Sequence, residues 1–479
     1  MSDNDELCWM SAVELSARIA AREVSPLDVA EAVVRRIERV DPLLNAFVYH
    51  DPDRVLRDAK ALTEHMADGG DPISPLHGIP YSLKEVCGAA GTPTTSGVVA
   101  QRGVVAQRDE PVAARLKSAG GLFLGKTNVA EAGYKATSSN HLYGTTVNPW
   151  HLGMTAGGSS SGAGAAVAAG LGQLAQGTDG GGSIRIPAAL NGVVGLKPSL
   201  GRIPQTRTAG RFVNFVFHGP ITRTVGDAAL MLNTMAGFDA ADPLSLPDSN
   251  IDYLSALDVD IAGARIAWSP DLGCTDVDSE VLALCEQALG AFVDAGCSVV
   301  EADPGWQDPD RVAWEALWAP FYSAMLDVTD WDHETGHVDE QLIELMHAGD
   351  RLTARQIQRA DAARGHMVDQ YTDFMRDFDY LVTPVTAVPA FPADQFCPDL
   401  LAGTPLRQQL MGWLLTYPFN LTTAPAISVP ADFTATGLPV ALQIAGRVRA
   451  DFEVLSAAAA FERLRPWAQH RPPLSAAQP

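Results

Sequence analysis

Between residues 156 and 198 the chain consists mostly of glycine, alanine and serine, and this stretch constrains the fold more than any other. Side chains this small let backbones approach closely, so the helix expected over 162–170 should be buried rather than lie on the surface. Two glycine-serine runs flank it: Gly157-Gly158-Ser159-Ser160-Ser161-Gly162 on one side, Gly177-Thr178-Asp179-Gly180-Gly181-Gly182-Ser183-Ile184-Arg185 on the other. Glycines beside a hydroxyl allow several backbone N–H groups to converge on one point, as stabilising a tetrahedral oxyanion requires. They also leave room for a substrate carbonyl. A lone run of this kind reads as a flexible loop; two of them around an alanine-rich helix, followed by Gly195-Leu196-Lys197-Pro198, do not.

The flanking sequence alternates between helical and strand periodicity. Ser25 as N-cap, Pro26 at the first helical position and Asp28 three residues after the cap open a helix through Val29, Val33, Ile37 and Val40, expected to stop before Asp41-Pro42. Strands are expected over 46–49, 79–86 and 122–124, with a helix over 111–119. After a Pro/Asp-rich surface excursion over 239–258 come a strand (265–268), a helix (279–295) and a strand (298–301). A helical segment (314–365), strands over 380–383 and 440–445, and a closing helix (452–464) complete the chain. No internal repeat and no long linker divides the 479 residues. One α/β domain spanning 1–479 is therefore expected, with an N-terminal helical part (1–65), a catalytic core (66–238), and the rest of the sheet with substrate-side helices (239–479).

A net charge of −23 repels phosphate backbones, and no basic patch offsets it, so the expected partner is a small neutral molecule and not nucleic acid. The six cysteines lack C-x-x-C spacing and the eleven histidines include no H-E-x-x-H pair, which points to neither a metal site nor a disulfide framework. The acidic start, without a basic and apolar leader, and the lack of an 18-residue apolar run lead to the expectation of a cytoplasmic protein with no membrane partner.

The two glycine-serine runs resemble those of the amidase-signature family, GGSSGG and GTD-x-GGSIR-x-P, with Ser161 standing where a glycine is usual. His77-Gly78-Ile79-Pro80-Tyr81-Ser82-Leu83-Lys84-Glu85 is similar to the family's lysine-bearing strand. Further similar pieces are Gly125-Lys126-Thr127-Asn128 with Glu131, Gly219-Pro220, Thr383-Pro384, and Pro425-Ala426-Ile427-Ser428-Val429-Pro430. The resemblance spans nearly the whole chain and implies a mixed, twisted central sheet covered by helices on both faces. It further implies a cofactor-free hydrolase of amides, with carbamates and esters as further substrates, in which Ser183 is the nucleophile and Lys84 the base. Ser159, after a cis peptide bond, would bridge them. The backbone N–H groups of Gly180, Gly181, Gly182 and Ser183 would form the oxyanion hole, and Thr178, Asp179 and Arg185 would orient that loop. A lysine can act so only when neutral, whereas an exposed lysine has a pKa of about 10.4; burial would have to lower it. The same family includes the amide-hydrolysing component of a tRNA-dependent amidotransferase, which is the alternative role. A non-catalytic scaffold is a second alternative, against which the intact Lys84, Ser159 and Ser183 argue. As a free-standing enzyme, a monomer or homodimer is expected.

Two competing motifs are set aside. Gly158-Ser159-Ser160-Ser161-Gly162 fits the G-x-S-x-G nucleophile elbow, which must follow a strand, and no strand is expected over 148–153. Gly120 through Thr127 fits the phosphate-loop pattern, but its interior, Gly-Leu-Phe-Leu, reads as a strand after a helix, the reverse of what a phosphate loop needs. Tyr134, Phe212, Phe215 and Phe217 adjoin the motifs and are candidates for the substrate pocket. Trp314, Trp318, Phe321 and Tyr322 form a helical stripe that reads as core.

Overall fold

The computed structural model describes residues 3–206, 210–248, 250–327 and 336–474. Among the described residues there are thirteen strands: β1 (Phe47–His50), β2 (Pro80–Lys84), β3 (Leu122–Thr127), β4 (Val147–Asn148), β5 (His151–Thr155), β6 (Leu174–Asp179), β7 (Val194–Lys197), β8 (Phe217–Thr222), β9 (Arg265–Trp268), β10 (Ser298–Glu301), β11 (Tyr380–Pro384), β12 (Ala426–Phe433) and β13 (Pro439–Ala445). Eleven of them form one sheet in the order β1-β3-β2-β6-β8-β7-β12-β13-β11-β9-β10, and β4 and β5 form a separate ribbon. The sheet is mixed. β2 lies parallel between β3 and β6, β9 lies parallel between β10 and β11, and the central β6-β8-β7-β12-β13-β11 run is antiparallel.

Alternate residues of the strands enter different cores, as a period of two requires. Ile266, Tyr380, Val382, Ile427, Val429, Leu442 and Ile444 pack with Val33 and Ile37 of the helix Pro26–Leu44, with Leu232 of Val225–Met235, and with Leu455 and Phe461 of Asp451–Leu464. Ala267, Leu381 and Ala445, each one residue on, pack instead with Leu342, Met367, Tyr371 and Trp413. A sheet buried on both faces explains why its strands carry so little polar alternation.

The expected helix from Ser25 forms with both halves of its capping box, Ser25 Oγ accepting from Asp28 N at 3.1 Å and Asp28 Oδ2 from Ser25 N at 3.0 Å. It does not stop before Asp41-Pro42 but runs to Leu44. Pro42 falls in the last turn, Asn45 takes the left-handed cap (φ 54°), and Asp41 Oδ1 accepts from Ala46 N (2.8 Å) and Phe47 N (3.1 Å). The expected helix over 279–295 is two, Ser279–Ala288 and Gly290–Asp294. The segment expected to be helical over 314–365 is broken too. A π-turn, Trp314–Trp318, leads into Ala319–Ser323, and Glu340–Asp350 and Ala354–Phe374 follow; residues 328–335 of that expectation lie outside the described residues.

The helix Ser161–Ala168 is wholly buried. A Cβ on Gly162 would meet Ala46 O at 2.2 Å and Asn128 N at 2.4 Å, so only glycine lets this helix settle behind β3. No described helix is long and apolar enough to cross a membrane.

Candidate active site

β2 and β6 are parallel, and their carboxyl ends deliver Lys84 and the Thr178-Asp179 pair to the same edge of the sheet, where ligands bind in open α/β folds. Ser159 follows a cis peptide bond from Gly158 and precedes the buried helix Ser161–Ala168. Ser183 lies in the turn between β6 and the helix Arg185–Asn191. Lys84 Nζ stands 2.8 Å from Ser159 Oγ and 2.8 Å from Thr178 Oγ1. Lys84, Ser159, Thr178 and Ser183 line one cavity of about 430 Å³, at exposures of 1% for Lys84, 2% for Ser159 and 7% for Ser183. Thr178, expected to orient the glycine loop, is also a direct partner of the lysine.

Asp179 and Arg185 hold the loop. Arg185 Nη2 donates to Asp179 Oδ1 (2.9 Å) and its Nε to Oδ2 (3.0 Å), a two-point pairing with both side chains fully buried. Burial alone would raise the Asp179 pKa, but the Arg185 charge and its hydrogen bonds outweigh it and bring the carboxyl down to about 2. The remaining guanidinium protons go to Thr416 O (2.8 Å), Gln443 Oε1 (2.6 Å) and Asn420 Oδ1 (2.6 Å), while Asn420 Nδ2 donates to Asp179 O at 3.0 Å. Thr416, Asn420 and Gln443 carried no local signal, since none lies within a motif.

Gly182 meets a competing acceptor. Its N–H donates to Asp179 Oδ1 at 2.7 Å, so this amide is turned to the carboxylate and not to the cavity. Gly182 has φ +129°, and a Cβ there would stand 2.1 Å from Thr416 Oγ1, so glycine is required by conformation and by space. Gly180 lines the 430 Å³ cavity, and both Gly180 and Gly181 line a smaller one beside it.

Of the aromatic candidates, Phe215 lines the main cavity and Tyr134 the smaller one. Phe212 is 75% exposed and lies outside both linings. Phe217 is also outside them, with its ring 3.9 Å from Lys197 Nζ. Trp318 and Tyr322, read from sequence as core, are buried in it and, with Phe321, also line the main cavity, while Trp314 packs against the core alongside. The stripe's period says only that these side chains share a face; which face meets the cavity is set by the π-turn and by Trp318 Nε1 donating to Tyr134 O at 3.2 Å.

The G-x-S-x-G pattern does follow a strand, contrary to expectation: β5 precedes Ser159. What excludes Ser160 is its placement: it is fully buried, its Oγ donates to Thr178 O (3.2 Å) and accepts from Thr178 N (3.3 Å). Ser161, which stands where a glycine is usual, points its Oγ to Asn128 O at 3.5 Å. The phosphate-loop pattern dissolves as expected, into β3 preceded by the helix Pro111–Ser118.

Behind Lys84 runs a polar chain invisible in the sequence. Lys84 N–H donates to Gln176 Oε1 (3.2 Å), which turns the Gln176 amide nitrogen toward His218 Nδ1 at 2.8 Å. That nitrogen must then accept, leaving Nε2 to carry the proton, 3.5 Å from Glu110 Oε2.

The profile of the Amidase family matches residues 28–455. Over 466 residues the chain is 51% identical to an acylamidase of Rhodococcus erythropolis, covering 97% of this chain and 98% of the relative. It is 31% identical to a component of the glutamyl-tRNA(Gln) amidotransferase of Geotalea daltonii, covering 97% and 99%. Among solved structures, a bacterial aryl acylamidase of the amidase-signature enzymes superposes with a TM-score of 0.90 at 33% identity, covering 96% of this chain and 97% of the other.

Proposed function

Since this chain belongs to the amidase-signature family and is a hydrolase of that class, we propose that it cleaves the C–N bond of neutral acylamides, aryl amides foremost, through an acyl-enzyme on Ser183. The observation that carries this reading is the Lys84 Nζ to Ser159 Oγ contact of 2.8 Å, inside the cavity that Ser183 also lines. A neutral amine has one lone pair. Donating an N–H to Thr178, Lys84 can accept the Ser159 hydroxyl proton, and Ser159 can then take that of Ser183 as its oxygen attacks the carbonyl. Negative charge on the carbonyl oxygen meets the N–H groups of Gly180, Gly181 and Ser183, while Gly182 anchors the loop to Asp179. Return of the proton through Ser159 to the amine nitrogen lets C–N cleave, and water frees the acyl group by the same route.

The aromatic wall of Phe215, Trp318 and Phe321 and the net charge of −23 favour neutral, aryl-bearing substrates over anions. Aryl carbamates are the next class to try. The identity of 51% with an acylamidase, against 31% with an amidotransferase component, favours a free-standing enzyme; turnover by the isolated chain, with its size measured in solution, tests this.

An active-serine probe with peptide mapping tests the nucleophile. Label on Ser183, lost in Ser183→Ala, is expected, with Ser159→Ala slowed by orders of magnitude and Ser160→Ala far less. Label on Ser160, or stoichiometric labelling of Ser183→Ala, would sink the assignment.

A further inference from the structure

Two cavities meet at Ser183. The larger holds Lys84 and Ser159; the smaller, about 30 Å³, is lined by Gly180, Gly181, Leu317, Leu414 and Tyr417. Gly180, Ser183 and Trp318 belong to both linings, so the indole is the shared wall. It is held firmly. Its ring lies 6.0 Å from that of Phe215 and 5.7 Å from that of Tyr322, and a Cβ on Gly180 would come within 3.3 Å of it.

We infer that the smaller cavity is the acyl subsite and restricts the enzyme to short, unbranched, uncharged acyl groups, with Trp318 as the residue that sets the limit. The inference rests on the proposed Ser183 chemistry. A carbonyl carbon bonded to Ser183 Oγ carries an oxygen, a leaving nitrogen and the acyl substituent. The oxygen goes to the loop N–H groups. The nitrogen must be protonated by Ser159 as the C–N bond breaks, the proton being the one Ser183 lost on forming its bond to carbon. Ser159 and Lys84 line only the larger cavity, so the amine half lies there against the aromatic wall, and the acyl substituent is left facing the smaller one. A space of this size holds about two water molecules, roughly the bulk of a two- or three-carbon chain. Its lining is apolar apart from a few groups already engaged. Lys135 Nζ lies 2.6 Å from Asp339 Oδ2, and Asn420 is spent on Asp179, so an acyl group with its own charge finds no free counter-charge among these lining residues.

The test uses the purified full chain with two series of anilides, one lengthening the acyl group from acetyl to hexanoyl on a fixed arylamine, the other enlarging the aryl group on a fixed acetyl. Each methylene beyond the capacity of the pocket should lower kcat/KM about tenfold or more, while the aryl series changes several-fold at most. Trp318→Ala should merge the cavities and raise the hexanoyl-to-acetyl ratio of kcat/KM by about tenfold or more. Leu317→Ala, which leaves the indole in place, should raise the ratio in the same direction and serves if Trp318→Ala does not fold. Leu414→Phe should lower the propionyl-to-acetyl ratio. A flat or rising wild-type acyl series, or ratios unmoved in Leu317→Ala and Leu414→Phe, overturns the acyl assignment while leaving the amidase reading intact. No turnover of any anilide overturns that reading, and this one with it.

Discussion

Asp179→Asn removes one charge from the loop that carries Ser183 while keeping the side chain's shape. The carboxylate accepts from Gly182 N and Asn420 Nδ2 at Oδ1, from Ile184 N at Oδ2, and from the Arg185 guanidinium at both oxygens. An asparagine has one acceptor oxygen, so its NH2 must confront donors on one side, and Arg185 is left charged and buried. Breaking a buried pair by removing one partner costs about 3–5 kcal/mol. Part of this can be read separately from pH. The carboxyl has a pKa of about 2 when folded against an ordinary value of 3.8, a depressed acid, so its contribution is present above 3.8 and lost as pH falls toward 2. At 1.36 kcal/mol per unit this is ~2 kcal/mol. A displaced loop should also misplace the proposed oxyanion donors, for which a loss of about 10²–10³ in kcat is the ordinary scale. Urea denaturation at pH 7 and at about pH 2, where most of that contribution is gone, with kcat on an anilide at pH 7, measures both effects. A variant within ~1 kcal/mol of wild type and with wild-type kcat would refute the claim that this pair holds the loop carrying Ser183.

Lys84→Arg is expected to be inactive from pH 6 to 10, because guanidinium does not release a proton there, whereas wild-type kcat/KM should fall on the acid side as the amine is protonated; an active arginine variant eliminates lysine as the base. Gly182→Ala should cost several-fold to hundreds-fold in kcat and lower the thermal midpoint, since its Cβ would stand 2.1 Å from Thr416 Oγ1 at a φ of +129°; the double variant Gly182→Ala with Thr416→Ala should recover space but not the backbone angle, and full recovery would show that sterics alone mattered. Burial and the neighbouring Asp339 charge raise the Glu131 carboxyl from 4.5 to about 8, with Lys135 opposing. Its favourable protonated form is therefore lost as pH rises from 4.5 through about 8, and Glu131→Gln should lose less stability than wild type between pH 6 and 9. Equal losses in thermal-shift profiles would count against it.

The candidate residues of the site could be picked from the sequence because the chemistry each offers is local. A serine amid glycines, or a lysine closing a short apolar strand, announces itself within nine residues, and Lys84, Ser159 and Ser183 do converge on one cavity. Strands carrying β-branched or aromatic residues, such as Arg265–Trp268 and Ser298–Glu301, were legible for the same reason, and the helix Pro26–Leu44 through its cap. β6, β7 and β8 were not, because glycine and proline replace the usual strand formers; only pairing on both sides holds them extended. Tertiary structure alone decided the rest. Arg185 finds Thr416, Asn420 and Gln443 at separations of 231, 235 and 258 residues, too far for any periodicity to encode. Whether Thr178 serves the loop or the lysine, whether the Gly182 N–H faces a substrate or Asp179, and whether Trp318 or Phe212 meets the ligand depend on where a side chain or amide points. That direction is fixed by neighbours brought together only when the sheet closes, while the sequence fixes the chemistry each group has to offer.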